Sequence, residues 1–437
     1  MRGVMVARPP ATRAERFTYL GLEVTPNSLR ATYDLDGREF EERVDFEGAG
    51  DLRQGAARSV AELWYLVAGL SYYKVGAARR IDVGALPLGE EGRALLRAAL
   101  LDGLGEFAYR NDLPLDDVVV TGGEAVTAVT ATDATNRVLV PFGGGIDSVV
   151  TSASLPEHLD QSLFVVSPAA GRFRALEETA AVTGFDVVRA TRSLDGAVLR
   201  TDDEQFRGHV PVTAMVTLLA AVAALSSGRG GVVMSNERSA SAANLRWRGR
   251  DVNHQWSKSY EAERVLGAAV AERVGPHFTV ASLLRDRSEI WVAEVFSRLR
   301  PYHHVFRSCN RAFSQTPQRR FSKWCGKCDK CLFVNLMLAP FLDRGELAEI
   351  FSSEPLSDPE RLEQLRVLVG ASGASKPFEC VGDPEESAAA LVRVGALAQW
   401  RDVAALATVA EDLRPTRTFD ELLRPEGPHR APPNWLR

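Results

Sequence analysis

The chain has 437 residues, of which 45% are hydrophobic and 25% are charged, a composition typical of globular proteins with two or three domains. Its formal net charge of -5 argues against nucleic acid as a partner, because binding to a phosphate backbone needs a basic surface. No apolar run is long enough to span a bilayer and the N-terminus lacks a signal-peptide layout, so the sequence predicts a cytoplasmic protein without membrane insertion.

Residues 1–135 are predicted to form an α+β block. Residues 17–24 and 29–46 alternate apolar with polar side chains and have turn-forming residues between them, which predicts a small antiparallel sheet. Residues 56–73 and 91–110 carry apolar side chains at helical spacing. The block is therefore expected to be an α+β cap.

Residues 136–300 change to an alternation of strands and helices. Strands are predicted at 138–142, 163–167, 186–190 and 231–235, and helices at 148–155, 175–183 and 211–225. Such alternation implies right-handed βαβ units and a parallel, doubly wound sheet. Ligands bind at the carboxyl ends of the strands in such sheets, so residues 143–148, 167–168 and 236–237 are expected to line one crevice.

Residues 143–148, Gly-Gly-Gly-Ile-Asp-Ser, follow an apolar strand and begin a predicted helix. Glycines let the backbone N–H groups approach an oxyanion, and a helix N-terminus adds a favourable dipole, so this loop is interpreted as a phosphate cradle. No Lys follows, which excludes the G-x-x-x-x-G-K-[ST] pattern. A glycine turn without a ligand is the alternative, at a cost in backbone entropy.

The same loop resembles the S-G-G-x-D-S loop of the ATP pyrophosphatases, which cleave ATP to AMP and pyrophosphate. Gly143 stands where that family usually has Ser. The resemblance implies a sheet of the adenine nucleotide alpha hydrolase type. It also implies that Gly143, Gly144, Gly145 and Ser148 bind the polyphosphate of ATP while Asp147 holds Mg²⁺.

A polar stretch follows the strand predicted at 231–235. Residues 235–240 and 252–261 mix His, Trp, Tyr, Lys and carboxylate side chains more densely than ordinary loops do. This chemistry suits a large, anionic, hydroxylated substrate, although a solvated polar loop is the alternative. The candidate substrate-binding residues are Asn236, Arg238, Asn253 and Tyr260.

Four of the five cysteines cluster in residues 301–340. Cys309, Cys325, Cys328 and Cys331 supply four thiolates, which predicts a closed, structural zinc site. An iron–sulfur cluster is the alternative, but its familiar motifs place the distant Cys downstream. The fifth, Cys380, is either a small buried hydrophobe or a catalytic thiol. Residues 341–437 are predicted to be helical, with a Pro- and Arg-rich tail from 424 that is ordered by docking.

Several of these motifs together resemble the ATP-dependent UDP-N-acetylmuramoyl-L-alanyl-L-glutamate epimerases of peptidoglycan synthesis. They are the glycine loop, Asn-Glu-Arg-Ser at 236–239, the segment 252–261, Ser-Cys-Asn at 308–310 with the cysteines downstream, and Lys-Pro-Phe-Glu-Cys-Val-Gly at 376–382. The resemblance implies that the terminal L-Glu of UDP-MurNAc-L-Ala-L-Glu becomes D-Glu, with ATP and water consumed and AMP and pyrophosphate released.

The chemistry of this reaction explains the use of ATP. The α-hydrogen of a carboxylate is hardly acidic, but adenylation makes a neutral mixed anhydride whose enolate carries a single charge. Two proton-transfer groups are then needed, and the sequence does not choose among the candidates His209, Glu237, His254, Lys258 and Cys380. His303 and His304 are adjacent and face opposite ways on an element, which favours a structural role. The oligomeric state stays open.

Two other functions are compatible with parts of the sequence. One is a nucleobase-modifying ligase similar to the 7-cyano-7-deazaguanine synthases, which pair a pyrophosphatase loop with a four-cysteine zinc site. The long spacing from Cys309 to Cys325, the N-terminal block and the segment 253–261 argue against it. The other is a non-catalytic nucleotide sensor that lacks the loop Ser. Pyrophosphate release with each candidate substrate separates the three.

Overall fold

The computed structural model describes residues 12–131, 136–199, 205–309, 311–314, 317–321 and 323–436. Its strands, in chain order, are β1 (Arg16–Val24), β2 (Ser28–Leu35), β3 (Arg38–Glu47), β4 (Arg80–Asp82), β5 (Val119–Thr121), β6 (Arg137–Pro141), β7 (Asp160–Pro168), β8 (Val187–Leu194), β9 (Gly231–Met234), β10 (Leu245–Trp247), β11 (Arg250–Val252) and β12 (Thr279–Ser282).

Among the described residues, ten strands form one sheet in the order β12-β9-β6-β7-β8-β3-β2-β1-β4-β5, and β10 pairs with β11 in a separate hairpin. Six of the nine neighbouring pairs in the large sheet are parallel. The predicted α/β class with a mostly parallel sheet is confirmed. The more specific nucleotide-hydrolase type stays a prediction.

The antiparallel strands predicted near the N-terminus are present, but they do not form a small sheet of their own. β3 pairs with β8, placing Phe46 opposite Ala190, so the meander β1-β2-β3 continues the large sheet. The physical reason is that the meander leaves β3 with an unpaired edge, and pairing with β8 satisfies its backbone groups.

The α-helices are α1 (Gly55–Ala68), α2 (Leu70–Tyr73), α3 (Glu90–Ala98), α4 (Gly105–Arg110), α5 (Ile146–Ser154), α6 (Arg174–Thr183), α7 (Gly196–Leu199), α8 (Val212–Ser226), α9 (Tyr260–Val274), α10 (Glu289–Ser297), α11 (Asp329–Leu338), α12 (Arg344–Phe351), α13 (Leu362–Leu368), α14 (Pro384–Gly395), α15 (Ala404–Asp412) and α16 (Phe419–Leu422). The helix predicted over 56–73 is divided at Gly69, and that over 91–110 contains a π-helical turn, Ala99–Gly103.

The core places apolar helices directly against the parallel strands. α8 is apolar on all sides and packs against α1, β6 and β9, as expected for a helix buried on every face. β6 is buried over residues 138–141, as parallel strands covered on both faces are. The C-terminal tail also docks, because Trp435 is buried beside Gly231 at the start of β9.

The order of the strands determines where a ligand would bind. The chain runs from β6 to β7 and β8 on one side, and later returns to place β9 and β12 on the other side of β6. The connections at the carboxyl ends of β6 and β9 therefore diverge, and such a switch point leaves a crevice. The segments that begin at Phe142 and Ser235 both lie at this edge. Within the described residues, no helix is both long and apolar enough to cross a membrane.

Candidate active site

The glycine loop connects β6 to α5, and its three glycines have different surroundings. Gly144 has a φ of +69°, and a Cβ there would lie 3.2 Å from the Cα of Leu176. A Cβ on Gly145, the N-cap of α5, would lie 2.6 Å from Oγ of Ser308, whereas a Cβ on Gly143 would meet open space. Gly144 and Gly145 are thus required by conformation or packing, whereas the backbone of Gly143 is open to the cavity.

Asp147 lies in the first turn of α5, beside other carboxylates. Its Oδ1 atom is shielded from solvent and has no hydrogen-bond partner among the described residues. Burial of the carboxylate and then the charge of Glu237 raise the pKa of Asp147 to about 6. Burial, Glu237 and Asp147 likewise raise the pKa of Glu289. The charges of Lys330 and Lys258 act in the opposite direction on Asp147. Clustered carboxylate oxygens, one of them without a hydrogen-bond partner, fit a divalent cation such as Mg²⁺.

A cavity of about 360 Å³ opens at the switch point between β6 and β9. Among the residues that line it, those expected from the sequence are Gly143, Gly145, Asp147, Ser148, Asn236, Lys258 and Cys380. Gly144 and Glu237 are not among the lining residues. Ser167 and Pro168 were expected at the crevice, but Val166 of β7 faces the cavity instead. The same cavity is thus lined by loop residues that are candidates for polyphosphate binding and by two candidates for proton transfer, Lys258 and Cys380.

Cys380 reaches the cavity because its loop is tied to the segment that carries His254. Asn244 donates from Nδ2 to the backbone oxygen of Pro377 at 2.7 Å and accepts at Oδ1 from the backbone N–H of His254 at 2.8 Å. Gln255 donates from Nε2 to the backbone oxygen of Val381 at 3.0 Å. Two motifs that are more than a hundred residues apart are thereby held side by side.

Cys380 and His254 form a charged pair. Burial would raise the pKa of Cys380, but the charge of Lys258 and a hydrogen bond from His254 lower it to about 6. Burial would lower the pKa of His254, but hydrogen bonds to Cys380 and Glu106 raise it to about 9. At neutral pH the pair is therefore a thiolate and an imidazolium.

Glu106 of α4 completes this arrangement from the N-terminal block. Nδ1 of His254 hydrogen-bonds to its carboxylate, which is 6% exposed and also accepts from Arg110. Burial alone would raise the pKa of Glu106, but the contact with His254 and then that with Arg110 lower it. An anionic Glu106 therefore faces a cationic His254.

His209 lies against His254 but differs from it in charge. The two ring centroids are 4.3 Å apart. Burial and then the charge on His254 lower the pKa of His209 to about 4, so its imidazole is neutral at pH 7. Ligating atoms of Glu106, His209 and His254 lie within 4.8 Å of one another, but His254 already uses its ring for hydrogen bonds to Glu106 and Cys380.

Three of the four candidate substrate residues make internal contacts and do not line the cavity. Arg238 pairs with Glu386 of α14 at 3.2 Å and with Glu426 at 2.7 Å. Asn253 donates to the backbone oxygen of Ala240, and Tyr260 begins α9. Asn236 alone of the four faces the cavity, where its Nδ2 donates to Oγ of Ser282 at 3.1 Å.

The four clustered cysteines converge in the structure. The Sγ atoms of Cys309, Cys325, Cys328 and Cys331 lie within 4.8 Å of one another, with Cys331 3.6 Å from Cys325 and 3.5 Å from Cys328. Thiolates around one tetrahedral zinc ion are about 3.8 Å apart, given metal–sulfur bonds of about 2.3 Å. The donor set therefore fits a closed metal site.

This cysteine cluster adjoins the cavity on two sides. Arg307 and Ser308 precede Cys309 and line the cavity, and the backbone N–H of Arg307 donates to the oxygen of Gly144 at 3.1 Å. Lys330, between Cys328 and Cys331, also faces the cavity. His303, by contrast, is buried against Phe296 and is bonded to its backbone oxygen, as a structural histidine would be.

The sequence alone did not identify Glu106, Asn244, Ser308 or Lys330 as part of the site. Glu106 is one polar residue in an apolar helix, and nothing local indicates a partner 148 residues away. Lys330 was within the cysteine motif, but its orientation toward the cavity depends on the helix α11 that begins there.

Comparisons with known proteins cover almost the whole chain. A family model described as the MurL N-terminal domain matches residues 7–283, and one described as the MurL C-terminal domain matches residues 305–422. The chain is 36% identical to the UDP-N-acetyl-alpha-D-muramoyl-L-alanyl-L-glutamate epimerase of a Micromonospora species, over 97% of this chain and 98% of the relative.

Two further relatives carry the same name. That from Salinispora tropica is 36% identical over 97% of this chain and 95% of its own length. That from Xanthomonas oryzae pv. oryzae is 34% identical over 96% of this chain and 95% of its own length. No solved structure matches the chain significantly.

Proposed function

The chain belongs to the MurL family, and we propose that it epimerises the terminal L-Glu of UDP-MurNAc-L-Ala-L-Glu to D-Glu at the expense of ATP. The observation that carries this proposal is the shared cavity. A glycine cradle suited to polyphosphate and a thiolate suited to proton exchange line the same space of about 360 Å³. An ATP-dependent proton transfer at carbon needs both in one place.

The proposed reaction has three stages. The α-carboxylate attacks the α-phosphorus of ATP, and pyrophosphate leaves, which gives an acyl-adenylate. The α-hydrogen is then removed from one face of this mixed anhydride, and a proton is returned to the other. Water finally cleaves the anhydride, which releases AMP and the D-Glu carboxylate.

Residues of the glycine loop support the first stage. The backbone of Gly143, Gly144 and Gly145 and the hydroxyl of Ser148 would bind the polyphosphate at the N-terminus of α5. Asp147 would hold Mg²⁺, which neutralises charge that develops on the phosphate oxygens. Lys258 and Lys330 bring further positive charge to the cavity.

The cysteine cluster would hold a structural Zn²⁺ through Cys309, Cys325, Cys328 and Cys331. Four protein ligands leave no open coordination position, so its proposed role is to fix the loop at Arg307 and Ser308 against the glycine cradle.

The test is incubation with UDP-MurNAc-L-Ala-L-Glu, ATP and Mg²⁺ in deuterated water. We expect a D-Glu product with deuterium at the α-carbon, and pyrophosphate and AMP formed in step with it. Inversion at an undiminished rate without any nucleotide, or release of ADP in place of AMP, would contradict the proposed route.

The same assay distinguishes the other functions considered from the sequence. A deazaguanine-type ligase would release pyrophosphate only with a carboxy-deazaguanine and ammonia. A nucleotide sensor would bind ATP and release pyrophosphate with neither substrate. Both are less well supported than the epimerase, because three relatives with that name align over nearly the full chain.

A further inference from the structure

We propose that Cys380 is the base that exchanges the α-hydrogen of the glutamyl residue, and that Glu106 is a positioning residue that acts on Cys380 through His254. The first half of this inference rests on the proposed function. The second half concerns the ionisation of a thiol, which can be measured without any substrate.

From the cavity toward the N-terminal block, three side chains follow one another in the order Cys380, His254 and Glu106. Cys380 lines the cavity together with Lys258, whereas His254 and Glu106 do not. His254 interacts with Cys380, whose proximity raises the pKa of the imidazole, and hydrogen-bonds through Nδ1 to Glu106. Only Cys380 of these three can therefore reach a substrate, and Glu106 can influence it only through His254.

Burial raises the pKa of the Cys380 thiol, but the cationic groups near it favour its anion. Lys258, Lys330 and His254 each lower the pKa of the thiol. The fourth neighbour is Lys376, on the same loop, whose own pKa is lowered by burial. A thiolate in this environment is stabilised as an ion and still carries a proton affinity near neutrality, which suits a general base.

The groups that face His254 explain the need for Glu106. Cys380 and Glu106 are the groups that raise the pKa of His254. The neighbouring His209 is neutral, because burial, His254, Lys74 and Lys258 all disfavour a positive charge on its ring. Arg110 holds Glu106 from the solvent side and stacks over Phe378, two residues before Cys380.

The chemical step balances without an additional redox partner. The thiolate takes the α-proton of the acyl-adenylate and becomes a thiol, and the electron pair of the C–H bond moves to the carbonyl oxygen as an enolate. A Brønsted acid that reaches the opposite face then returns a proton to the α-carbon, which inverts it. The thiol loses its proton to solvent before the next turnover.

The first experiment measures the ionisation of Cys380 in the full chain. The ultraviolet absorbance of thiolate is titrated in wild type and in Cys380→Ser, and their difference isolates this thiol from the four clustered cysteines. We expect ionisation near pH 6 in wild type and an upward shift of about one pH unit or more in Glu106→Gln, because loss of the carboxylate weakens the imidazolium.

Matched variants separate this effect from a change in packing. Glu106→Asp keeps the charge and is expected to restore most of the wild-type titration. Arg110→Gln removes the outer partner of Glu106 but leaves its charge, so the thiol should titrate within a few tenths of a unit of wild type. If Glu106→Gln lacks a cooperative unfolding transition, His254→Gln replaces it and must show the same upward shift. An unshifted thiol in a folded variant overturns the role of Glu106.

The second experiment tests Cys380 as the base. Cys380→Ser is expected to release pyrophosphate with the dipeptide substrate but to lose deuterium incorporation and inversion by about 10²-fold or more. Inversion at the wild-type rate would overturn the base role while leaving the proposed function intact. Failure of wild type itself to turn over this substrate would remove both, whereas the thiol titration would still decide the role of Glu106.

Discussion

His254 hydrogen-bonds through Nδ1 to Glu106, a carboxylate that precedes it by 148 residues and belongs to the N-terminal block. The contact joins α4 to the segment that also supports the Cys380 loop. The N-terminal block therefore contributes to the site as well as to the sheet, because the Glu106 carboxylate helps to raise the pKa of a histidine beside the cavity.

The pH dependence of activity should follow the Cys380–His254 pair. The pKa of Cys380 is lowered to about 6, so the base is lost as the pH falls below 6. The pKa of His254 is raised to about 9, and loss of its proton above this value removes the positive charge while the Cys380 thiol stays ionised. We expect kcat/KM for D-Glu formation to rise with pH through about 6 and to change little between pH 7 and 9. A rate at pH 5 equal to that at pH 7 would contradict Cys380 as the base.

Substitutions in the glycine loop should have opposite consequences at neighbouring positions. Gly144→Ala forces a side chain into positive φ next to Leu176, and we expect it to lower the free energy of unfolding by about 1–2 kcal/mol. Gly143→Ser places its Cβ in open space and adds a hydroxyl donor at the cradle. We expect it to fold as wild type does and to lower the KM for ATP a few-fold. Thermal unfolding and ATP kinetics of the two variants check this contrast.

Asp147→Asn should abolish adenylation while preserving the fold. The amide has the same shape but cannot supply the negative charge that a divalent cation needs. We expect pyrophosphate release to fall by about 10²-fold or more, with a higher Mg²⁺ requirement for what remains. An unchanged thermal unfolding transition of Asp147→Asn is the control for packing. Full turnover by Asp147→Asn would remove the metal role.

The parts of the site that the sequence predicts are those encoded by contiguous motifs. The glycine loop and Asp147 follow one strand directly, and the spacing of Cys325, Cys328 and Cys331 brings their thiolates together through one turn and the start of α11. Local geometry decides both, so a single sequence is sufficient.

The parts that the sequence does not predict depend on long-range contacts. Arg238 follows β9 directly, as a substrate-binding residue would, yet it pairs with Glu386 and Glu426, 148 and 188 residues away. The continuation of the meander into the large sheet depends on the pairing of β3 with β8. Periodicity does not reveal the carboxylates that pair with Arg238 or the strand that pairs with β3. In the sequence, many other carboxylates could pair with an arginine, and many other strands could pair with an exposed strand edge.

Asn244→Ala should loosen the Cys380 loop. The side chain links the backbone of His254 to that of Pro377, and each lost hydrogen bond costs about 1 kcal/mol. We expect a free energy of unfolding lower by about 2–3 kcal/mol and a higher pKa of Cys380. Asn136→Ala is the control, since Asn136 lies just before β6 and its side chain donates to the backbone oxygen of His158 at 2.9 Å. It should lose about 1 kcal/mol of stability without moving the thiol titration.

Removal of the proposed zinc ion should weaken ATP binding more than it affects proton transfer. Cys309 follows Ser308 and Arg307, which contact Gly145 and Gly144, so a loosened cysteine cluster would release one wall of the cradle. We expect one zinc ion per chain by elemental analysis, loss of it in Cys328→Ser, and a roughly tenfold rise in the KM for ATP, equal to about 1.4 kcal/mol. Cys380→Ser should retain its zinc. Iron with visible absorbance would instead identify an iron–sulfur cluster, and a metal-free wild type with unchanged ATP kinetics would exclude any structural metal.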